Sequence, residues 1–187
     1  MSRSVSEWLE DNKSSSKKRS AGFWLAELIK DLTHIVFSNR STTADSLDSK
    51  DRTGIYRILD ANCNRLREAL RVVEEYFRFV VEDSDSSMIL KTARHSLQEI
   101  LTALGENELV AARGTASDPF AVGVSAVELE RSDLASAVCA NLRRAQEASR
   151  VIEEYAKLIP CGAAVEKAKL IRFTVYDAEK KFREKTA

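Results

Sequence analysis

The chain has 187 residues, with 29 Lys and Arg against 29 Asp and Glu, so its formal net charge is zero. A chain of this length is sized for one domain with a buried core. The balanced charge excludes a general attraction to nucleic acid or anionic membranes, and no apolar run approaches the ~20 residues of a membrane span. Its three cysteines lack CxxC spacing. They favour a reducing compartment, so we expect a cytoplasmic protein.

The chain divides by composition into a tail and a domain. Residues 1–52 are predicted to be a flexible tail with one short helix over Phe23–Phe37, where apolar residues recur at helical spacing. Ser38–Arg52 is polar and rich in Ser, Thr and Asp, which is typical of a linker. The compact helical domain is therefore expected to cover residues 53–187.

Four long helices are predicted in this domain. The first covers Ile55–Glu82, and Asp83–Asp85 then provide capping residues for Ser86–Leu104, which Gly105 closes. After a short helix over Glu106–Arg113 and a long loop, Ser132 or Asp133 begins a helix that Pro160 ends. The last helix is predicted over Ala163–Glu184.

One helical segment occurs twice in the chain. Ala61–Val80 (ANCNRLREALRVVEEYFRFV) and Ala140–Ile159 (ANLRRAQEASRVIEEYAKLI) are identical at ten of twenty positions, 79 residues apart. The helices that follow also match, at Lys91/Lys169 and Arg94/Arg172. The unit is therefore a helical hairpin. The sequence predicts an all-α bundle of two pseudo-twofold-related hairpins, with the N-terminal helix in addition.

The repeated polar residues allow two interpretations. Asn62 and Arg65 recur as Asn141 and Arg144 near the N-terminal ends of the long helices, where arginines and helix dipoles suit phosphate binding. Structural pairing between the hairpins explains them as well, and spacing alone favours it. The same holds for two carboxylates, which can hold Mg²⁺ beside a phosphate or can lie on a solvated face. They are Glu68 and Glu147.

Three further positions are candidates for a site. His95 follows Arg94 on the second helix, although Phe173 replaces it in the second repeat, and a lone helical His is more often a surface residue. The long loop carries Arg113 and Asp118 near the hairpin junction, and long loops in compact domains are often functional. The chain has no P-loop, no GxGxxG or GxSxG motif and no zinc-spaced cluster.

These residues resemble a known family. RILDANCNRLREALRVVEEYFRF is similar to the signature DANxNRxREGLRVxED, and ANLRRAQEASRVIEEYAKL is similar to ANxKRAQEALRVLEEFAK. Both belong to the helical hydroxymethylpyrimidine phosphate kinase family, commonly fused ahead of thiamine-phosphate synthase in thiamin biosynthesis. The resemblance covers about Ile55–Phe182. Its matched positions include Asp60, Asn64 and Arg67.

The resemblance implies an ATP-dependent kinase that converts hydroxymethylpyrimidine phosphate to the diphosphate with Mg²⁺. We therefore expect Arg65, Arg144 and Asp118 to be catalytic, and Glu68 and Glu147 to bind metal. The residues expected to bind substrate are Asn62, Asn141, Arg94, His95 and Arg113. The central loop departs from the family's ARDTxGDVGT, because Gly114 stands where an Asp is expected.

Two alternatives remain open at this point. One is a non-catalytic helical module that binds thiamin precursors or a thiamine-phosphate synthase partner, and the altered loop favours it. The other is a purely structural bundle that forms a homodimer through the stripe carrying Tyr76 and Tyr155. Binding of ATP and Mg²⁺ separates the enzyme from both.

Overall fold

A computed structural model describes residues 47–118 and 132–186, and these residues are mostly helical with no strand among them. The helices are α1 (Ser49–Phe79), α2 (Ser84–Leu104), α3 (Glu106–Ala111), α4 (Leu134–Tyr155) and α5 (Gly162–Thr186), with a 3₁₀ turn at Thr115–Ser117. The predicted all-α fold is confirmed. The helix predicted over Phe23–Phe37 lies outside the described residues.

Aspartates cap three of the four long helices. Asp48, Asp83 and Asp133 each accept a hydrogen bond from the backbone N–H three residues ahead, at 2.6 to 3.0 Å. Such bonds satisfy N–H groups that the helix itself leaves unpaired. The predicted caps at Asp83 and Asp133 are therefore confirmed. Gly105 ends α2 at a φ of 86°, the left-handed region that glycine adopts most readily.

Three predicted helix ends were wrong. α1 begins at Ser49 rather than Ile55, because Asp48 caps it, and it ends at Phe79 rather than Glu82. Glu82 has a φ of 55°, which no helix can continue. α4 ends at Tyr155, well before Pro160, which disfavours helical backbone at the preceding residue.

The two hairpins pack as a square of four helices. α1 packs on α2 and α4, and α5 packs on α2 and α4. Ion pairs Lys167–Glu99 and Lys185–Asp83 join opposite ends of α5 and α2, so these helices are antiparallel. Since each hairpin is also antiparallel, α1 and α4 run in opposite directions. The repeat is thus related by a pseudo-twofold axis perpendicular to the helices.

The core lies between the four long helices. Its largest fully buried side chains include members of each helix: Leu59, Leu66, Phe77, Leu90, Leu97, Leu142, Ile152, Ile171 and Phe182. Together with the other buried residues of each helix, such as Cys63, Leu70 and Val73 of α1, they follow spacings of three and four, the pattern of a helix with one buried face. No helix in the described ranges is long and apolar enough to cross a membrane.

The three cysteines are free thiols. Cys63 is buried in the core, whereas Cys139 and Cys161 are partly buried. Burial raises the pKa of Cys63 to about 12, with a smaller contribution from Asp60. At neutral pH Cys63 is therefore a protonated core side chain rather than a nucleophile.

Candidate functional site

The repeat carries the same buried ion pair in each hairpin. Arg94 of α2 donates to Glu74 of α1 at 2.9 Å, and Arg172 of α5 donates to Glu153 of α4 at 2.8 Å. Glu74 and Glu153 are 5% and 6% exposed. A carboxylate buried to this extent requires a cation, and each arginine crosses its hairpin to supply it. In the structure Arg94, expected to bind substrate, holds its hairpin together.

The repeated asparagines also bond in the same way. Asn62 donates to the carbonyl of Ile58 at 2.8 Å, and Asn141 donates to the carbonyl of Ala137 at 2.9 Å. Both side chains are buried and satisfied within their own helix. Arg144 in turn donates to the Asn141 side chain at 3.0 Å. Among the described residues, no hydrogen bond or ion pair joins Asn141 or Arg144 to Asn62 or Arg65 of the first repeat.

A different set of polar residues connects α1 with the loop after α3. Arg113 donates to both carboxylate oxygens of Asp60, from Nε at 2.7 Å and from Nη2 at 2.8 Å. Asp60 is buried, while the Arg113 side chain is 46% exposed. Hydrogen bonding to Asp60 raises the pKa of Arg113. This bidentate geometry fixes the plane of the guanidinium and leaves part of it open to solvent.

Other side chains complete this group. Arg57 donates to the carbonyl of Gly114 at 3.1 Å, and Asn64 donates to Asp60 at 3.5 Å. Arg67 donates to Asn64 at 3.4 Å. Residues 57, 60, 64 and 67 share one face of α1, at about 100° of rotation per residue. We call this group of five the α1 polar site: Arg57, Asp60, Asn64, Arg67 and Arg113.

The α1 polar site is not repeated in the second hairpin. The residues 79 positions after Asp60, Asn64 and Arg67 are Cys139, Arg143 and Gln146. Most polar residues that are identical in the two repeats form their described bonds within one hairpin. The α1 polar site instead uses positions at which the two repeats differ. Comparing the repeats therefore directs attention away from Asp60. The signal for Asp60 in the sequence was its match to the family signature.

The remaining predicted residues lie at several places. Arg65 and Glu68 are exposed on α1, and Arg65 makes no ion pair or hydrogen bond within the described ranges. Glu147 is exposed on α4, and His95 is exposed on α2. The Asp118 N–H donates to the carbonyl of Thr115 at 3.4 Å. Asp118 thus belongs to the same loop as Arg113.

The described residues contain no group of three or more His, Cys, Asp or Glu side chains that could hold a metal ion. The carboxylate of Asp60 is already engaged by Arg113. A Mg²⁺ ion needs only one or two protein carboxylates when substrate phosphates supply other ligands. Glu68 and Glu147, which we expect to bind metal, are exposed, so their carboxylates are accessible to such an ion.

Comparison with known proteins identifies the kind of domain. The model of the ThiD2 family matches residues 57–181, which include every residue of the α1 polar site and most of each of the four long helices. The match covers both hairpins. No solved structure matches the chain.

Curated relatives share the same region. A thiamine-phosphate synthase of Thermosynechococcus vestitus is 45% identical over 123 residues, which are 66% of this chain and 34% of the relative. The thiamine-phosphate synthase of Nostoc punctiforme is 40% identical over 125 residues, 67% of this chain and 34% of the relative. That of Rhodopirellula baltica is 39% identical over 110 residues, 59% and 29% respectively. The matched segment thus spans about a third of these relatives.

Proposed function

The chain belongs to the ThiD2 family, and from this premise we propose that it is a thiamin-biosynthetic kinase. The proposed reaction transfers the γ-phosphoryl group of ATP to hydroxymethylpyrimidine phosphate. An oxygen of the substrate phosphate attacks the γ-phosphorus, and the bond from that phosphorus to the oxygen of ADP breaks. The products are the pyrimidine diphosphate and ADP. Relatives named thiamine-phosphate synthase support a role in the same biosynthesis.

The observation that carries the proposal is the arginine content of the α1 polar site. Arg113 pairs with buried Asp60, Arg57 donates to the neighbouring Gly114 carbonyl, and Arg67 is connected to Asp60 through Asn64, so the five named side chains are together net positive and partly open to solvent. Transfer between phosphates has little covalent chemistry, and it is accelerated mainly by positioning and by neutralising charge on phosphate oxygens. Oriented guanidinium groups supply both effects.

Within this proposal, the residues have separate roles. Asp60 is a positioning residue, because it fixes the guanidinium plane of Arg113 through two hydrogen bonds. Arg113 and Arg67 bind phosphate oxygens, and exposed Arg65 on the same helix adds a further cation. Glu68 on α1 would hold the Mg²⁺ that accompanies ATP, and the ion would supply charge neutralisation at the nucleotide phosphates. Asp118, on the same loop as Arg113, covers the site.

A second candidate is a non-catalytic module that binds the same pyrimidine phosphate or a thiamine-phosphate synthase. One observation favours it. The position where the family signature has Asp is Gly114, and its backbone carbonyl is held by Arg57. A glycine offers neither a carboxylate for Mg²⁺ nor a proton acceptor. This module would keep the arginines of the α1 polar site and bind substrate without turnover.

An ADP-release assay separates the two candidates. The wild-type chain is incubated with ATP, Mg²⁺ and hydroxymethylpyrimidine phosphate, beside Arg65→Ala and the control Arg71→Ala. Both arginines are exposed on α1, but Arg71 is engaged by Glu75 at 3.1 Å. We expect substrate-dependent turnover that falls about 100-fold or more in Arg65→Ala and stays near wild type in Arg71→Ala. Folded wild-type protein without turnover would contradict the kinase proposal.

A further inference from the structure

Tyr56 lies beside the α1 polar site, one helical turn before Asp60. At about 100° per residue, the two positions differ by about 40° around α1, so their side chains are neighbours on one face of the helix. Residues 47–67 and 105–118 contain the whole α1 polar site, and Tyr56 is the only aromatic residue in these two segments. It is therefore the aromatic side chain that they can offer to a ligand.

The ring of Tyr56 is held in place, while its hydroxyl is open to solvent. Tyr56 is partly buried and packs against the hydrophobic core. Its hydroxyl makes no hydrogen bond within the described ranges. No buried side-chain oxygen or nitrogen in those ranges lacks a hydrogen-bond partner, so the Tyr56 hydroxyl must reach solvent. A ring that is already fixed at the surface loses little conformational entropy when a ligand binds to it.

Arg52 lies over this ring from one turn nearer the start of α1. Its guanidinium carbon is 6.0 Å from the centroid of the Tyr56 ring. Arg52 is exposed, and its side chain makes no hydrogen bond or ion pair in the part of the chain that the structure describes. A planar ring in van der Waals contact with a flat group on each side needs about 7 Å between them. A small movement of the Arg52 side chain therefore admits such a ring.

The loop that carries Arg113 lies on the other side of Asp60. Arg57 donates to the carbonyl of Gly114 in this loop. Around α1, Arg57 lies about 60° from Asp60 in the direction away from Tyr56. The loop is thus fastened at Asp60 and on the Arg57 side. A ligand with its phosphate on Arg113 can therefore extend across Asp60 toward the Tyr56 ring.

We propose that Tyr56 recognises the ring of the substrate, which stacks between Tyr56 and Arg52 while its phosphate binds Arg113. This assignment rests on the function proposed above and adds the part of the site that distinguishes an aromatic phosphate from phosphate alone. Stacking and cation–π contact require a flat π system rather than particular hydrogen-bonding groups. The site therefore selects phosphates that carry an aromatic ring over sugar phosphates of the same charge.

α1 also carries an arginine–aromatic contact that provides a matched control. Arg78 lies over the ring of Phe79, with its guanidinium carbon 4.8 Å from the centroid. Phe79 is 64% exposed. It lies about six turns from Tyr56, roughly 35 Å along the helix. A ligand bound at the α1 polar site cannot reach Phe79 at this distance.

Isothermal titration of two ligands separates ring recognition from phosphate binding. Hydroxymethylpyrimidine phosphate and inorganic phosphate are each titrated into the full-length wild type and into single variants. We expect Tyr56→Leu to bind the pyrimidine phosphate about tenfold or more weakly, because it removes the stacking surface, and to bind inorganic phosphate like the wild type. Arg52→Ala should lose about threefold for the pyrimidine phosphate, since an exposed cation–π contact contributes less. Tyr56→Phe, which keeps the ring, and the control Phe79→Leu should bind both ligands like the wild type.

Arg113→Ala distinguishes failure of this inference from failure of the proposed function. If Arg113→Ala weakens binding of both ligands while Tyr56→Leu binds the pyrimidine phosphate like the wild type, the ring assignment is wrong and the proposed function stands. Equal weakening of both ligands in Tyr56→Leu would also overturn the assignment, because Tyr56 would then only support the phosphate site. A folded wild type that binds neither ligand, or binding that neither Arg113→Ala nor Tyr56→Leu changes, would overturn the proposed function and the ring assignment together.

Discussion

Asp60 and Glu74 are both buried carboxylates on α1, and each is neutralised by an arginine from another segment. The partner of Glu74 is Arg94, which is itself mostly buried between α1 and α2. The partner of Asp60 is Arg113, whose side chain stays half exposed on the loop. The first pair holds two helices together. The second also leaves donors open to a ligand, so we propose a functional role for the Asp60 pair and a structural one for the Glu74 pair.

The first prediction separates these roles at Arg94. Arg94→Ala leaves the carboxylate of Glu74 buried without a cation, which should lower the free energy of unfolding by about 3–5 kcal/mol. Urea denaturation measures this loss. The double variant Glu74→Leu/Arg94→Met removes both charges and should recover most of the stability. Normal stability with lost substrate binding in Arg94→Ala would restore Arg94 as a substrate-binding residue.

A second prediction concerns Gly114. Its φ is −140°, which any residue adopts, and its backbone carbonyl accepts a hydrogen bond from Arg57 that a substitution of the side chain would keep. Gly114→Asp should therefore leave the melting temperature within about 3 °C, since surface substitutions usually change stability by less than 0.5 kcal/mol. If the chain is a kinase weakened by the missing carboxylate, the variant should show higher turnover in the ADP-release assay. Turnover lowered by the new carboxylate would contradict this role for position 114.

The sequence identified part of the site. Arg113 was predicted from its place in a long loop, and Asp60 was matched through the family signature. Their contact spans 53 positions of the chain, and no periodicity within a helix reports a contact between separate segments. The roles of Arg65, Arg144 and Asp118 stay predictions. The residues that are identical in the two repeats favoured one polar face shared by both hairpins. In the structure, most of these side chains bond within their own hairpin, which structural pairing explains.

At the scale of elements, helix ends were the weakest part of the sequence prediction. The long apolar periodicity of α1 and α4 predicted both helices, because a buried helical face requires that spacing. Their ends depend on single residues instead. Asp48 extends α1 at its start, and the backbone of Glu82 prevents its continuation. Sequence composition gives little information on such local geometry.

The third prediction is the pH dependence of the α2 cap. Asp83 accepts bonds from the Ser86 backbone N–H at 3.0 Å and hydroxyl at 2.9 Å, and these bonds lower its pKa to about 2. A folded-state pKa below the ordinary value of about 4 means that the cap stabilises the fold above pH 4. This stabilisation is lost as the pH falls from about 4 to about 2.

Thermal melts of the wild type and Asp83→Ala across pH test this cap. The wild type should melt at a higher temperature between pH 5 and pH 7. The difference should shrink below about pH 4 and vanish near pH 2, because Asp83 is then protonated when folded as well as unfolded. A difference that stays constant down to pH 2 would show that the carboxylate does not provide the cap's stability.

At the scale of the molecule, the loop after α3 explains why the repeat does not build two equal sites. The pseudo-twofold axis relates the hairpins, but only the first is followed by the loop that carries Arg113. Asp60 has this arginine as a partner. The equivalent residue of the second hairpin, Cys139, offers no carboxylate for an arginine to bind. The second helices of the hairpins differ as well, since α2 has His95 and Gln98 where α5 has Phe173 and Tyr176.

The central claim is that the α1 polar site binds the pyrimidine phosphate, with or without turnover. Isothermal titration of hydroxymethylpyrimidine phosphate into the wild type, Arg113→Ala and Arg150→Ala tests it most directly. Arg150 is the matched control, because it is a half-exposed arginine paired with glutamates on α4. We predict that Arg113→Ala weakens binding about tenfold or more, while Arg150→Ala binds like the wild type. Equal binding by all three folded proteins would contradict this account.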